Sequence, residues 1–238
     1  MALQADYSDE KAALLANEHK CYCQVGLLDK AYETMRQIRG LTVQDKFVRM
    51  IVDVGDACMT TLMGKLEEGV CKFERLLQLN QTELQTSDLR NTYEDIQQRR
   101  AFALANLGRY LEALPVLTEA VSFKTLSVDD AQMVQFYLGI CYAALQQPDL
   151  AIRAFLNVIG SGVNNEVEAK ARYRLAIVYF LKRAFAQSKH HLEAALQMPD
   201  SAVDAQLRKY IYQQMSRTCH YLGESQEEQK YSRLAQSS

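Results

Sequence analysis

The sequence predicts an all-α chain made of about six helix pairs stacked side by side. Glycine and proline together number only 13 in 238 residues, against roughly 28 at their ordinary frequencies of about 7% and 5%, so tight turns are few. Six short elements each end one long helical segment and open another. Their turn residues stand at 26, 64, 108, 146, 183 and 223, at spacings of 38, 44, 38, 37 and 40. A period held over the whole chain is the signature of a repeat architecture.

The elements follow in order from those turns. They are centred on Val25-Gly26-Leu27, Met63-Gly64-Lys65, Leu107-Gly108-Arg109, Gln146-Gln147-Pro148, Arg183-Ala184-Phe185 and Leu222-Gly223-Glu224. The single domain 1–238 then divides into repeats at about 9–40, 43–80, 88–124, 127–161, 164–198 and 201–236. Five residues after each turn come Ala31, Gly69, Ala113, Ala151, Ser188 and Glu228, small in five of six cases, as a close helix crossing requires. Four residues on stand Met35, Phe73, Leu117, Phe155, Leu192 and Ser232, and three beyond those Ile38, Leu76, Ala120, Val158, Ala195 and Ala235. Offsets of four and three place these on one helical stripe. Seven residues before each turn, His19, Ala57, Ala101, Gly139, Ala176 and Ser216 are again mostly small.

Helix starts are marked by Thr42/Asp45, Ser127/Asp130, Asn165/Glu168 and Ser201/Asp204, a capping residue three positions before an acid. These predict first helices lengthened at their N-termini. Pro148 fits the first helical position, where its missing N–H costs nothing. Pro115 lies five residues inside Tyr110–Phe123, so that helix either begins near Glu112 or kinks. The longest spacing is taken up by a polar loop at Asn80–Ser87, and the polar last helix from Glu224 reads as a terminal cap.

In the fourth repeat, Leu138-Gly139, Tyr142, Ala151 and Phe155 follow an L-G-x2-Y…A-x3-F spacing, and Leu175-Ala176, Tyr179, Ser188 and Leu192 follow it in the fifth. By these residues the chain resembles the tetratricopeptide-repeat (TPR) family. No tryptophan occurs, and Gln135 holds its place in the fourth repeat. The resemblance implies a right-handed superhelix (α-solenoid) whose first helices line a concave wall that takes a peptide or a partner's helix. The wall positions it implies include Arg99 and Phe102; Phe136, Tyr137 and Ile140; Lys170, Tyr173, Arg174 and Ile177; and Tyr210, Gln214 and Arg217. Phe180, Leu181, Gln213 and Tyr221 occupy further wall positions. Of the family's five-residue clamp for a chaperone's C-terminal carboxylate, only Lys170 and Arg174 match. Gln98, Phe102 and Tyr137 do not, so chaperone-tail binding is not expected.

Charge and chemistry narrow the function classes. The formal net charge is −2, so no global basic field exists to hold nucleic acid. The segment 168–220, however, carries nine bases against four acids, net +5, which favours a partner with acidic residues beside apolar anchors. Cys21, Cys23, Cys58, Cys71, Cys141 and Cys219 form no CxxC or disulfide framework, and Met1–Glu10 is polar and acidic. A cytoplasmic protein is the expectation. No run of about 18 apolar residues occurs, so no membrane insertion is expected.

Gly160-Ser161-Gly162 follows no strand and is not a phosphate loop. On a helix His19 and Cys23 share a face while Cys21 points away, short of the four ligands a metal needs. His190-His191 diverge and read as surface residues. No catalytic residue, cofactor or metal is expected. The reading is a non-catalytic protein-interaction scaffold. The alternatives are a self-assembling module, with Val43–Leu62 and Met133–Leu145 as a homodimer face, and a helical-toroid enzyme.

Overall fold

The computed structural model describes residues 2–24, 27–80, 84, 86, 89–123 and 126–237. Among them are twelve α-helices and no strand. They are α1 (Ala2–Gln24), α2 (Leu28–Arg39), α3 (Lys46–Leu62), α4 (Leu66–Leu79), α5 (Arg90–Asn106) and α6 (Tyr110–Ala120). There follow α7 (Val128–Ala144), α8 (Pro148–Val158), α9 (Asn165–Leu181), α10 (Phe185–Leu196), α11 (Ala205–Leu222) and α12 (Ser225–Ser237). The chain forms two compact units, Met1–Arg109 and Tyr110–Ser238, divided at the turn of the third expected repeat.

The periodic turn has one physical basis. Gly64, Gly108, Gln146, Arg183 and Gly223 all have positive φ, between 58° and 81°. These are the turn positions read from the sequence; Gly26 lies outside the described residues. Each ends a first helix in the left-handed conformation that reverses the chain, as at Gly223, whose N–H reaches back to the carbonyl of His220. Glycine adopts that conformation freely, whereas Gln146 and Arg183 carry a side-chain clash.

Each unit is layered in the same way. In the first, α2 lies against α1 and α3, and α4 against α3 and α5, while α1–α3 and α3–α5 also touch. In the second, α6 meets α7, α8 meets α7 and α9, α10 meets α9 and α11, and α12 meets α11 alone, with α7–α9 and α9–α11 in contact. The predicted stripe supplies these contacts: Met35, Ile38, Phe73, Leu76, Leu117, Ala120, Phe155, Val158, Leu192 and Ala195 are all buried. The small positions answer them. A Cβ on Gly139 would stand 2.5 Å from the ring of Phe155, and one on Gly69 would stand 2.2 Å from Thr61 Cγ2. Hence α7 and α8 cross at a distance that no larger side chain fits. In α12 only Tyr231 and Ala235 are buried.

Three local expectations are corrected. Of the predicted caps only Ser127 stands, its side chain accepting from the Asp130 N–H. Asp45 and Asp204, read as partner acids, are themselves the caps of α3 and α11, and Asn164 rather than Asn165 caps α9. A short carboxylate satisfies the orphan N–H three residues on as well as a hydroxyl does and adds charge at the positive helix end. The helix around Pro115 starts at Tyr110, not near Glu112, and runs through the proline. The Asn80–Ser87 loop is not wholly polar in role: Leu84 is buried with Met50, Val54, Phe73 and Ile96. Residues 81–83, 85, 87 and 88 lie outside the described set.

Candidate partner-binding surface

The first helices carry the side chains that the resemblance assigns to a binding wall, and the two units hold them differently. In the first unit Arg99 donates from Nε to Asp95 Oδ1 at 2.8 Å, one turn earlier on α5, and its charge also acts on the thiols of Cys23 and Cys58. Phe102 lies half-buried on the same helix. Arg99 is thus engaged by its own unit.

In the second unit the α7 positions are buried. Phe136 and Tyr137 are 8% and 9% exposed, with rings edge-on at 5.5 Å, and Phe136 leans on Phe155 at 6.1 Å. Phe136 thus packs between α7 and α8, and the two buried rings offer little area to a ligand. Ile140 is half-buried.

On α9 and α11 the surface is open. Tyr173 stacks on Tyr210 with ring centroids 6.3 Å apart, joining the two helices, and Tyr210 remains 44% exposed. Arg174 and Arg217 are exposed and stand close enough to Tyr173 for their charges to act on its hydroxyl. Burial raises the Tyr173 pKa, and these two cations oppose the rise. Among the nine bases of 168–220, Lys170 is paired with Glu166, Arg172 with Glu168, Lys182 with Asp149, Lys189 with Glu224 and Arg208 with Asp200, and Lys209 is also engaged. Arg174, Arg183 and Arg217 take part in no ion pair among the described residues.

Tyr210, Gln214, Arg217 and Tyr221, spaced i, i+4, i+7 and i+11, share one face of α11. Gln214 is only 7% exposed, and its Nε2 has no hydrogen-bond partner. The α9–α11 wall therefore presents two exposed guanidinium groups, in no ion pair among the described residues, around a tyrosine stack, while the Gln214 amide is buried beneath it, and donors in excess of acceptors suit an anion.

At the end of α9 lies a cluster that the twelve wall residues chosen from sequence omit. Phe185, the first residue of α10, stacks on Tyr221 at 5.0 Å, and Phe180 meets both rings edge-on, at 5.3 Å and 5.4 Å. Leu181 beside them is 75% exposed and Tyr221 62%. The signal for Phe180, Leu181 and Tyr221 was their wall register; Phe185 carried none, since a turn residue has no place in that register.

The remaining chemistry-bearing groups serve the fold. His19 is buried, with Nδ1 2.9 Å from the Ala31 carbonyl and Nε2 3.2 Å from that of Gly55, so its nitrogens link α1 to α2 and α3. Cys21 is exposed and apart from them. Among the described residues no three His, Cys, Asp or Glu side chains are grouped to hold a metal. Burial pushes the thiols of Cys58, Cys141 and Cys219 up to about 11, which keeps them protonated. Asp56 bridges Arg39 and Lys72, tying α3 to α2 and α4.

His190 is exposed as expected, but His191 is not a simple surface residue. It lies flat on Tyr179 at 5.5 Å with a buried, unpartnered Nδ1, and burial, with His190 and Arg172 nearby, lowers its pKa to about 4. In the tracts considered for a homodimer face, Met50, Val54, Met59, Val134, Leu138 and Cys141 are buried, while Phe47 and Leu62 are exposed. No helix of the described residues is long and apolar enough to cross a membrane.

The helix hairpins with a left-handed turn residue, a small residue at the crossing and an apolar stripe define a TPR-like α-solenoid fold, and solved structures agree. PilF of Pseudomonas aeruginosa superposes with a TM-score of 0.66 at 15% identity, covering 94% of this chain and 90% of its own. MamA from Desulfovibrio magneticus RS-1 gives 0.55 at 18% identity over 82% of this chain and 98% of its own. The TPR-like repeats of a Podospora anserina kinesin light chain give 0.54 at 19%, over 79% and 93%. No family model and no curated sequence matches the chain.

Proposed function

We propose that this protein is a non-catalytic interaction scaffold whose α9–α11 wall holds a peptide segment or helix of a partner protein that carries acidic residues. The observation behind it is the pair Arg174 and Arg217, exposed and in no ion pair among the described residues, close to the Tyr173–Tyr210 stack. Arginine and tyrosine together offer directed donors and large area at little rotamer cost, the composition of binding hot spots. Such guanidinium groups can donate bidentately to a carboxylate, at about 1.5–3 kcal/mol net for a charge-assisted bond. Phe136, Tyr137 and Gln214 act from beneath as support for the wall, and Ile140, Lys170 and Ile177 border it. The TPR-like fold of the solved neighbours agrees with a scaffold role.

The test is selection of random displayed 12-residue peptides on the wild type and on Arg174→Ala/Arg217→Ala. Both substituted side chains are exposed, so the fold is retained. Enrichment of Asp- or Glu-bearing peptides on the wild type, with at least a tenfold loss of binding on the variant, is expected for two lost charged contacts. Equal capture by both proteins, or no acidic preference on the wild type, refutes the reading.

A further inference from the structure

We infer that the aromatic cluster at the α9–α10 turn is a second, apolar subsite of the same wall, so that the partner segment carries an aliphatic or aromatic anchor at a fixed distance from its acidic residue. This rests on the reading of the α9–α11 wall given above. Phe180, Phe185 and Tyr221 form a closed triangle of ring contacts, each pair within 5.4 Å. Such a cluster is half-built. The rings support one another from α9, α10 and α11, yet Tyr221 remains 62% exposed, and Leu181, the residue after Phe180, 75%. Exposed apolar side chains are ordinary singly, but adjoining ones on a preorganised aromatic floor mark an interaction site.

Charge complementarity names the occupant. Arg183 sits in the turn between Leu181 and Phe185, and Arg174 and Arg217 lie on the same two helices. None of the three is in an ion pair among the described residues. Tyr221 follows Arg217 by four residues and Leu181 follows Arg174 by seven, rises of about 6 Å and about 10 Å along the helix axes. An apolar anchor seated on the cluster is thus 6–10 Å from a carboxylate seated on the arginines. That separation corresponds to two or three residues of extended chain, or four to seven of helix. An apolar surface alone would accept any hydrophobic segment; one bordered by three unpaired guanidinium groups selects a segment that also carries acid.

The experiment extends the peptide selection to Leu181→Ser/Tyr221→Ser, with circular dichroism confirming native helix content. On the wild type the enriched peptides should hold an acidic and an apolar position at constant separation. On the variant the acidic preference should persist while the apolar preference disappears, and a wild-type-selected peptide should bind about tenfold more weakly, the worth of one buried large apolar side chain. Leu181→Lys alone keeps the reading independent of the Tyr221–Phe185 stack, and should also weaken binding of that peptide. An acidic preference without any apolar one on the wild type, or an apolar preference that survives both variants, overturns this inference and leaves the anion-binding wall standing. Absence of any acidic preference removes both.

Discussion

Replacing Gly139 with alanine adds one methyl group where α7 crosses α8. The new Cβ would lie 2.5, 2.6 and 2.8 Å from three ring carbons of Phe155, a side chain with no exposed surface. Those atoms belong to a rigid ring that already meets Phe136 at 6.1 Å, so relief requires the two helices to part or the ring to leave its rotamer. Three contacts under 3.0 Å with a rigid ring put this overpacking in the upper part of the usual range, about 2–3 kcal/mol, and the better helix propensity of alanine returns about 1 kcal/mol. The net expectation is a loss of about 1–2 kcal/mol, or roughly 3–8 °C in the melting of the second unit. Urea unfolding followed by circular dichroism measures it. Gly139→Ala/Phe155→Leu should recover part of the loss, because the leucine vacates the volume the methyl needs, giving a positive coupling between the two sites. A Gly139→Ala protein as stable as the wild type, or purely additive effects, would refute the close crossing on which the repeat geometry is argued.

Two further predictions concern stability. His191 has a folded pKa near 4 against an ordinary value of about 6.5, so between those pH values the unfolded chain binds the proton and the fold does not. Stability therefore falls as pH drops from about 6.5 toward 4, by about 1–2 kcal/mol once partial solvent contact is allowed for. His191→Phe, which keeps a ring on Tyr179, should flatten that dependence in urea titrations at pH 7 and pH 4.5. Gln146 and Arg183 hold φ of 58° and 59° at positions where three other turns use glycine. Gln146→Gly and Arg183→Gly should each raise stability by about 0.5–1 kcal/mol by thermal melting, the left-handed penalty less glycine's extra unfolded-state entropy.

The fold was legible because its determinants are local and repeated. A left-handed turn needs a residue that tolerates positive φ, a close crossing needs a small one, and the apolar stripe needs a 3-and-4 spacing; the turn recurs from Gly64 to Gly223, and all three recur in register from Gly64 to Arg183. Caps were less legible, since Ser-x-x-Asp can be capped from either end, and at Asp45 and Asp204 the carboxylate won. Leu84, a lone apolar residue among polar ones, has no period, and only the packed core places it. The wall was legible as a register and not as a surface. Sequence positions cannot say that Phe136 turns into the α7–α8 contact and Tyr137 is buried while Tyr210 stays open, because neighbouring helices decide burial. Nor can a count of nine bases tell which three lack a partner; that depends on Glu166, Asp149 and Glu224 being within reach of the others.

The central claim, that the α9–α11 wall is where a partner protein docks, is tested most directly by site-specific photocrosslinking in the native cells. A photoreactive residue at Ile177, at the border of the wall, is compared with one at Leu156, exposed on α8. The account predicts a discrete adduct from position 177, absent from position 156, and lost when Arg174→Ala/Arg217→Ala is combined with the probe. Adducts of equal yield from both positions, or an Ile177 adduct indifferent to the arginines, would contradict it.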